Sequence, residues 1–134
     1  MNDRSPEPPA DPDIRVRRIY EPPRPTDGHR VLVDRLWPRG VSKERAAIDT
    51  WMREIAPSTD LRRWFAHDPA RWPEFKRRYF AELRDQADLV AGLTALARRH
   101  RVTLVYSARD TDHNQAVALA EFLRERDEHG PSGA

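Results

Sequence analysis

Cysteine is absent from the 134-residue sequence, which rules out disulfides, thiolate nucleophiles and cysteine-ligated zinc together. Lysine is almost absent too: 22 of the 24 basic residues are arginine. Glycine is scarce, at five residues, and no glycine-rich phosphate loop occurs. No apolar run approaches the roughly 20 residues of a membrane helix, and no cationic-plus-apolar leader opens the chain. A cytoplasmic location with no membrane partner is the expectation. The five histidines, His29, His67, His100, His113 and His129, lack ligand spacing, so no metal site is expected.

What is present is a heavily ionised chain, 34 % charged, with the length of one domain. Arginine-rich surfaces suit phosphate and carboxylate recognition, although a GC-rich genome has the same effect on composition. The 22 acidic residues are interspersed, leaving a formal charge of only +2 and no arginine-only stripe. Any nucleic-acid binding is therefore expected to be weak or nonspecific.

Residues 1–13 hold four of the twelve prolines and almost nothing apolar, the composition of a disordered tail. Residues 127–134 read the same way, which leaves 14–126 as a single α/β domain. Within it, Ile14 to Tyr20 has imperfect period-2 alternation, an edge or half-exposed strand. Val31-Leu32-Val33 and Val102 to Tyr106 are runs of buried-strand composition. Asp27-Gly28 also signals a turn, but its proline and polar flanks favour a parallel first pair with a short crossover over a hairpin. Ser42 is a candidate N-cap, with Ile48, Trp51, Met52 and Ile55 at helical spacing behind it. Ser58 is a second cap, before Leu61, Trp64 and Phe65. Phe75, Tyr79, Phe80 and Leu83 form one helical stripe, and Leu89, Val90, Leu93, Leu96 and Ala97 another. Ala116, Leu119, Ala120 and Leu123 form the last. The expected fold is a small, three-layer-like α/β domain. It has a short, mainly parallel three-stranded sheet and a large helical insertion between the second and third strands.

Charge begins abruptly at Asp34-Arg35, directly after the buried run, so the strand must end there. In open parallel sheets, ligands bind beyond the carboxyl ends of the strands. With parallel strands, the loops Tyr20-Glu21-Pro22, Asp34 to Gly40 and Tyr106 to Asp112 would share that edge. Asp34 is the candidate acid/base group. Arg35, Trp37, Arg39, Tyr106, Ser107, Arg109, Asp110 and Asn114 are the candidate ligand-binding residues. The alternative for the same charges is a structural ion-pair network closing the sheet edge. Ser107 follows a strand, as a nucleophile might be placed, but lacks the glycines of a nucleophile elbow. His113, six residues on, could serve as its base, although a helix-start histidine facing water is the favoured reading. The aromatic set Trp51, Trp64, Trp72, Phe75 and Tyr79 has core spacing rather than the layout of a base-stacking platform.

The stretch from Asp27 to Gly40, Asp-Gly-His-Arg-Val-Leu-Val-Asp-Arg-Leu-Trp-Pro-Arg-Gly, resembles the YeaO-like branch of the bacterial DUF488 family of domains of unknown function. Glu54 to Ser58, Leu61-Arg62, Phe75, Arg78-Tyr79, Glu82-Leu83 and Leu104 to Asp110 with Asn114 and Ala116 continue the resemblance over roughly residues 15 to 125. It implies a helix-connected parallel start to the sheet, but no activity, substrate or cofactor. The wider family is similar in having Val-Asp-Val-Arg where this chain has Leu32-Val33-Asp34-Arg35. It also has a cysteine after the last strand and a Cys-His-Arg triplet opening the last helix. The corresponding positions here are Tyr106 and Asn114-Gln115-Ala116, so thiol or metal chemistry of relatives is not expected in this chain.

Three functions compete on these grounds. The first is binding of, or action on, an anionic small molecule, nucleotides included, at Asp34, Arg35 and Arg39. The second is a non-catalytic interaction module. The third is a nucleic-acid-binding regulator, suggested by Arg15, Arg17 and Arg18 but lacking a helix-turn-helix pattern. The residues point to no particular cofactor or oligomeric state.

Overall fold

The computed structural model describes residues 11–128. The chain runs β1 (Ile14–Arg18), β2 (His29–Leu32), α1 (Lys43–Ala46), β3 (Thr50–Trp51) and α2 (Thr59–Phe65). It continues through α3 (Trp72–Arg84), α4 (Ala87–Arg99), β4 (Val102–Tyr106) and α5 (Gln115–Glu128), with three short 3-10 turns between elements. The sheet has four strands rather than three, in the order β1-β4-β2-β3, and every pair is parallel. All five residues of β4 are buried, as expected of a central parallel strand. The first two strands are indeed parallel, but β4 lies between them rather than letting them pair with each other.

Alternation along the strands divides two unequal cores. Val31, Val33, Leu104 and Tyr106 face the larger one, with Phe75, Tyr79, Leu83, Val90, Leu93 and Leu119 from α3, α4 and α5. Leu32 and Val105 face a smaller one with Ile19 and Ala46, closed by Trp37, Val41, Ile48 and Trp51. The aromatic set read as core is core: Phe75 and Tyr79 are fully buried, and Trp64 and Trp72 pack against them.

The fourth strand falls where helical spacing predicts a continuous helix from Ser42. Ser42 does cap, its Oγ accepting the Arg45 N–H at 3.1 Å, but α1 lasts a single turn and ends on left-handed Ala47 (φ 50°). The cause is Arg30, a buried guanidinium on β2. It donates to the Ala46 carbonyl at 2.8 Å and to Ala47 at 3.1 Å, taking acceptors that further helical turns would use. Asp49 then accepts the Arg30 backbone N–H, and Thr50 and Trp51 come into register with Val31 and Leu32. Arg30 is itself neutralised by Asp27 at 2.7 Å, both side chains about 95 % buried. Ser58 and Leu61 behave as read: the serine caps α2, and its own hydroxyl donates to Glu82 at 2.6 Å.

β1 is an edge strand, as its weak alternation predicts, and its open side is blunted. Arg124 donates to the Ile14 carbonyl, while Glu21 accepts the Arg18 N–H and donates its own N–H to the Arg18 carbonyl. Pairing begins one residue before the expected boundary, since Asp13 exchanges backbone bonds with Ala97 and Val102. α5 likewise runs past 126. The tails expected over residues 1–10 and 129–134 lie outside the described residues.

Asp27-Gly28 does turn the chain, not into a hairpin but into β2 beside β4. Gly28 has φ +68°, and a Cβ there would lie 2.3 Å from the Arg101 carbonyl oxygen, which accepts the His29 N–H at 2.8 Å. Gly28→Ala is expected to lower unfolding free energy by at least about 1–3 kcal/mol, measured by urea titration. An alanine variant as stable as the wild type would contradict this account of the β2–β4 junction.

Candidate functional site

β2 delivers Val33, fully buried with its N–H on the Val105 carbonyl, and then Asp34 at the point where the sheet opens. Asp34 is only 7 % exposed. The Ser107 hydroxyl donates to its Oδ2 at 2.5 Å, the Gln115 amide donates to its Oδ1 at 2.6 Å, and Trp51 donates to its carbonyl at 2.7 Å. Burial pushes the Asp34 carboxyl above the ordinary aspartate value. The Ser107 and Gln115 donors and the nearby Arg62 charge oppose that rise without cancelling it.

Arg35 does not pair with Asp34. Its guanidinium turns to the chain between β3 and α2, donating to the Ala56 carbonyl at 2.9 Å and Pro57 at 3.3 Å. Trp37 donates its indole N–H to Val41 and meets Trp51 edge-on, so it roofs the smaller core while presenting a face outward. Arg39 is exposed; its carbonyl accepts the Tyr20 hydroxyl. The buried ion-pair network that these charges also suggested is not formed. Among the described residues, none of Arg35, Arg39, Arg62 or Arg109 makes an ion pair with a carboxylate.

Seven of the expected residues share one cleft of about 660 Å³: Asp34, Arg35, Trp37, Arg39, Ser107, Arg109 and Asp110. Two are placed differently. Tyr106 alternates into the main core, because the last residue of β4 faces the same way as Leu104; burial raises its hydroxyl pKa, and Asn114 hydrogen-bonds to it. Asn114 is 2 % exposed and acts as the cap of α5, its Oδ1 accepting the Val117 N–H and its amide donating to the Asp110 carbonyl. Asp110, though on the cleft wall, is a turn carboxylate. It accepts the backbone N–H groups of Asp112 and His113 and lies 2.9 Å from the His113 ring. Those contacts, the Asp112 N–H foremost, hold it below the usual aspartate range. His113 is thereby committed to Asp110 and to the edge of Trp72, consistent with a helix-start role.

The cleft also contains residues outside the expected site set. Arg62 projects from α2 and His67 follows it, held by consecutive left-handed residues, Ala66 at φ 48° and His67 at φ 57°. Gln115, the other missed member, opens α5 directly above Asp34. Its one sequence signal was its place where relatives resemble a Cys-His-Arg triplet. The same wall continues into an adjoining hollow of about 380 Å³ whose further lining includes Arg63, Phe75, His113 and the expected Asn114. Among the described residues, no group of three or more histidine or acidic side chains is placed to hold a metal, and no helix is long and apolar enough to cross a membrane.

These features define a small parallel α/β domain with an arginine-lined cleft across the carboxyl ends of its central strands. The chain belongs to the DUF488-N3i family, described as the inactive DUF488-N3 subclade, whose model it matches over residues 13–132. It is 42 % identical over 112 residues to the uncharacterized protein YeaO of Escherichia coli K12, covering 84 % of this chain and 97 % of that one. It is 44 % identical over 113 residues to the uncharacterized protein Rv3073c of Mycobacterium tuberculosis H37Rv, covering 84 % and 95 %. No solved structure matches the chain significantly.

The raised pKa of Asp34 has a defined consequence. Below 3.8 the residue is protonated in both folded and unfolded chains; above that value the folded chain keeps its proton longer, so stability contributed at this position falls as pH rises through the folded pKa. Asparagine keeps the shape, can accept from Gln115 and can donate to Ser107 Oγ, and carries no charge. Asp34→Asn is therefore expected to match or exceed wild-type stability at neutral pH, with the difference vanishing below pH 3.8. Asp34→Ala leaves the Ser107 hydroxyl without its acceptor and Gln115 with only the Val33 carbonyl at 3.5 Å, and should cost about 1–3 kcal/mol. Urea titrations across pH distinguish the two. A large loss in Asp34→Asn at neutral pH would show that the negative charge itself holds the fold.

Proposed function

We propose that the cleft binds an anionic small molecule bearing phosphate or carboxylate groups, nucleotides included, and holds it without covalent chemistry. The observation that carries this reading is the cation balance of the walls. Arg35, Arg39, Arg62 and Arg109 line the cleft, while its two carboxylates, Asp34 and Asp110, are committed to donors of their own. Guanidiniums fixed beside a concave, partly apolar wall are a suitable receptor for an oxyanion. Arg35 is the most firmly oriented, since two carbonyls hold it; Arg39, Arg62 and Arg109 stand at the rim, where they can close on a ligand.

A binding role without covalent chemistry is supported by the way Asp34 is held. Each of its oxygens accepts a side-chain hydrogen bond, one from Ser107 and one from Gln115, which fixes the carboxylate as part of the cleft wall. The description of the subclade as inactive agrees with this. Asp34 then serves as the rigid floor of a binding site, orienting Ser107 and Gln115.

Isothermal titration of the full chain with inorganic pyrophosphate tests the reading. Arg39→Ala and Arg62→Ala, both exposed positions, are expected to leave stability unchanged and to weaken binding at least about tenfold each, near 1.4 kcal/mol. Asp34→Asn is expected to bind as well as wild type or better. Binding unaltered in both arginine variants would overturn the proposal, as would tight, sequence-selective binding of duplex DNA at physiological salt.

A further inference from the structure

We propose that the protein has a second anion site at the amino-terminal end of the sheet, shaped for a compact oligophosphate group. A hollow of about 460 Å³ lies between β1 and α5, lined by Arg15, Arg17, Arg24, Arg101 and Arg124, with Asp27 the one carboxylate among the described residues of its wall. It shares no lining residue with the cleft at the carboxyl edge. Asp27 precedes β2 and Arg101 precedes β4, which places it at the opposite ends of the same strands.

The carboxylates nearby do not match these cations. Asp27 Oδ2 is taken by Arg30 at 2.7 Å and by the Arg24 N–H at 2.9 Å. Asp13 is divided between Arg15 and Arg101, each at 3.0 Å. Glu21 reaches Arg17 only at 3.8 Å. Among the described residues, Asp13, Glu21 and Asp27 are the carboxylates that meet Arg15, Arg17, Arg30 and Arg101. Arg17 is the least satisfied. Its side chain is 14 % exposed, its Nη2 donates to the Pro22 carbonyl at 3.1 Å, and the closest approach to Asp27 is 3.7 Å. Its Nε is buried and has no hydrogen-bond partner. A buried guanidinium short of acceptors, beside a hollow ringed by four more, calls for added oxyanions.

The shape selects among anions. The arginines converge around a concavity instead of running along a stripe, and Val16, Val117 and Ala120 complete its wall. An extended duplex tracks a stripe of phosphate contacts; a compact di- or triphosphate group can receive several guanidiniums at once. Arg124 and Arg101 already brace the site through the Ile14 and Thr26 carbonyls, so binding there would tie β1 to α5.

The test uses the full chain carrying Arg39→Ala and Arg62→Ala, which removes rim cations of the other cleft, titrated calorimetrically with inorganic tripolyphosphate. Binding is expected to persist in that background and to fall at least about tenfold on adding either Arg24→Ala or Arg17→Gln, with circular dichroism unchanged. Should Arg17→Gln fail to fold, the exposed Arg24 decides. No binding in the Arg39/Arg62 background overturns the second site, as does binding there that neither added substitution weakens. If this background binds as tightly as wild type and the second-site substitutions abolish binding, the carboxyl-edge reading fails and this one stands. A labelled single-stranded oligonucleotide forms the other arm: its binding through Arg17 and Arg24, with none by tripolyphosphate, would overturn the oligophosphate assignment in favour of nucleic acid.

Discussion

The carboxylate of Asp34, buried and received by Ser107 and Gln115, is the contact on which the rest of the cleft depends. It joins the end of β2, the end of β4 and the first turn of α5, segments 73 and 81 residues apart in sequence. A buried aspartate is costly to ionise unless donors surround it, and here a hydroxyl and an amide do so in place of a cation. The choice of neutral donors has a consequence for charge. Arg35, next in sequence, is left to the Ala56 and Pro57 carbonyls, and its positive charge remains uncancelled at the mouth of the cleft.

The other end of the sheet treats buried charge differently. Arg30 is neutralised by Asp27 and spends its remaining donors on the carbonyls of Ala46 and Ala47. That guanidinium ends α1 and brings Asp49, Thr50 and Trp51 alongside β2, adding the strand that closes the smaller core. One arginine thus builds architecture through a paired charge, while others keep theirs available. The abundance of arginine over lysine suits both uses, since the planar fork can hold two carbonyls or two oxyanion oxygens with little further loss of freedom.

Much of this was legible in the residues because it is local. An apolar run halted by Asp34-Arg35 marks a strand end, Ser58 before Leu61 marks a helix start, and the stripes through Phe75 to Leu83 and Val90 to Ala97 have the helical period. What escaped reading depends on partners distant in sequence. The spacing of Ile48, Trp51, Met52 and Ile55 fits a helix, and only the buried Arg30 explains why the chain extends there. β4 lies between β1 and β2 because it pairs with both, and no residue near Asp27 records that. Tyr106 was read as a site residue from adjacency in sequence, whereas strand alternation turns it into the main core; Asn114 caps α5 and lines the adjoining hollow instead of the main cleft. Arg62 and Gln115 reach the cleft only through the folding of α2 and α5 against the sheet edge.

The central claim is that this edge is a receptor for an anion, with Asp34 as its fixed floor. The most direct measurement is a set of proton–nitrogen correlation spectra of the full chain titrated with inorganic pyrophosphate. The account predicts saturable amide shifts at Leu36, Arg62, His67 and Ala108, all on the cleft wall, that diminish as salt screens the guanidiniums. An absence of saturable shifts at those four residues, or equal shifts over arginines across the whole surface, would contradict it.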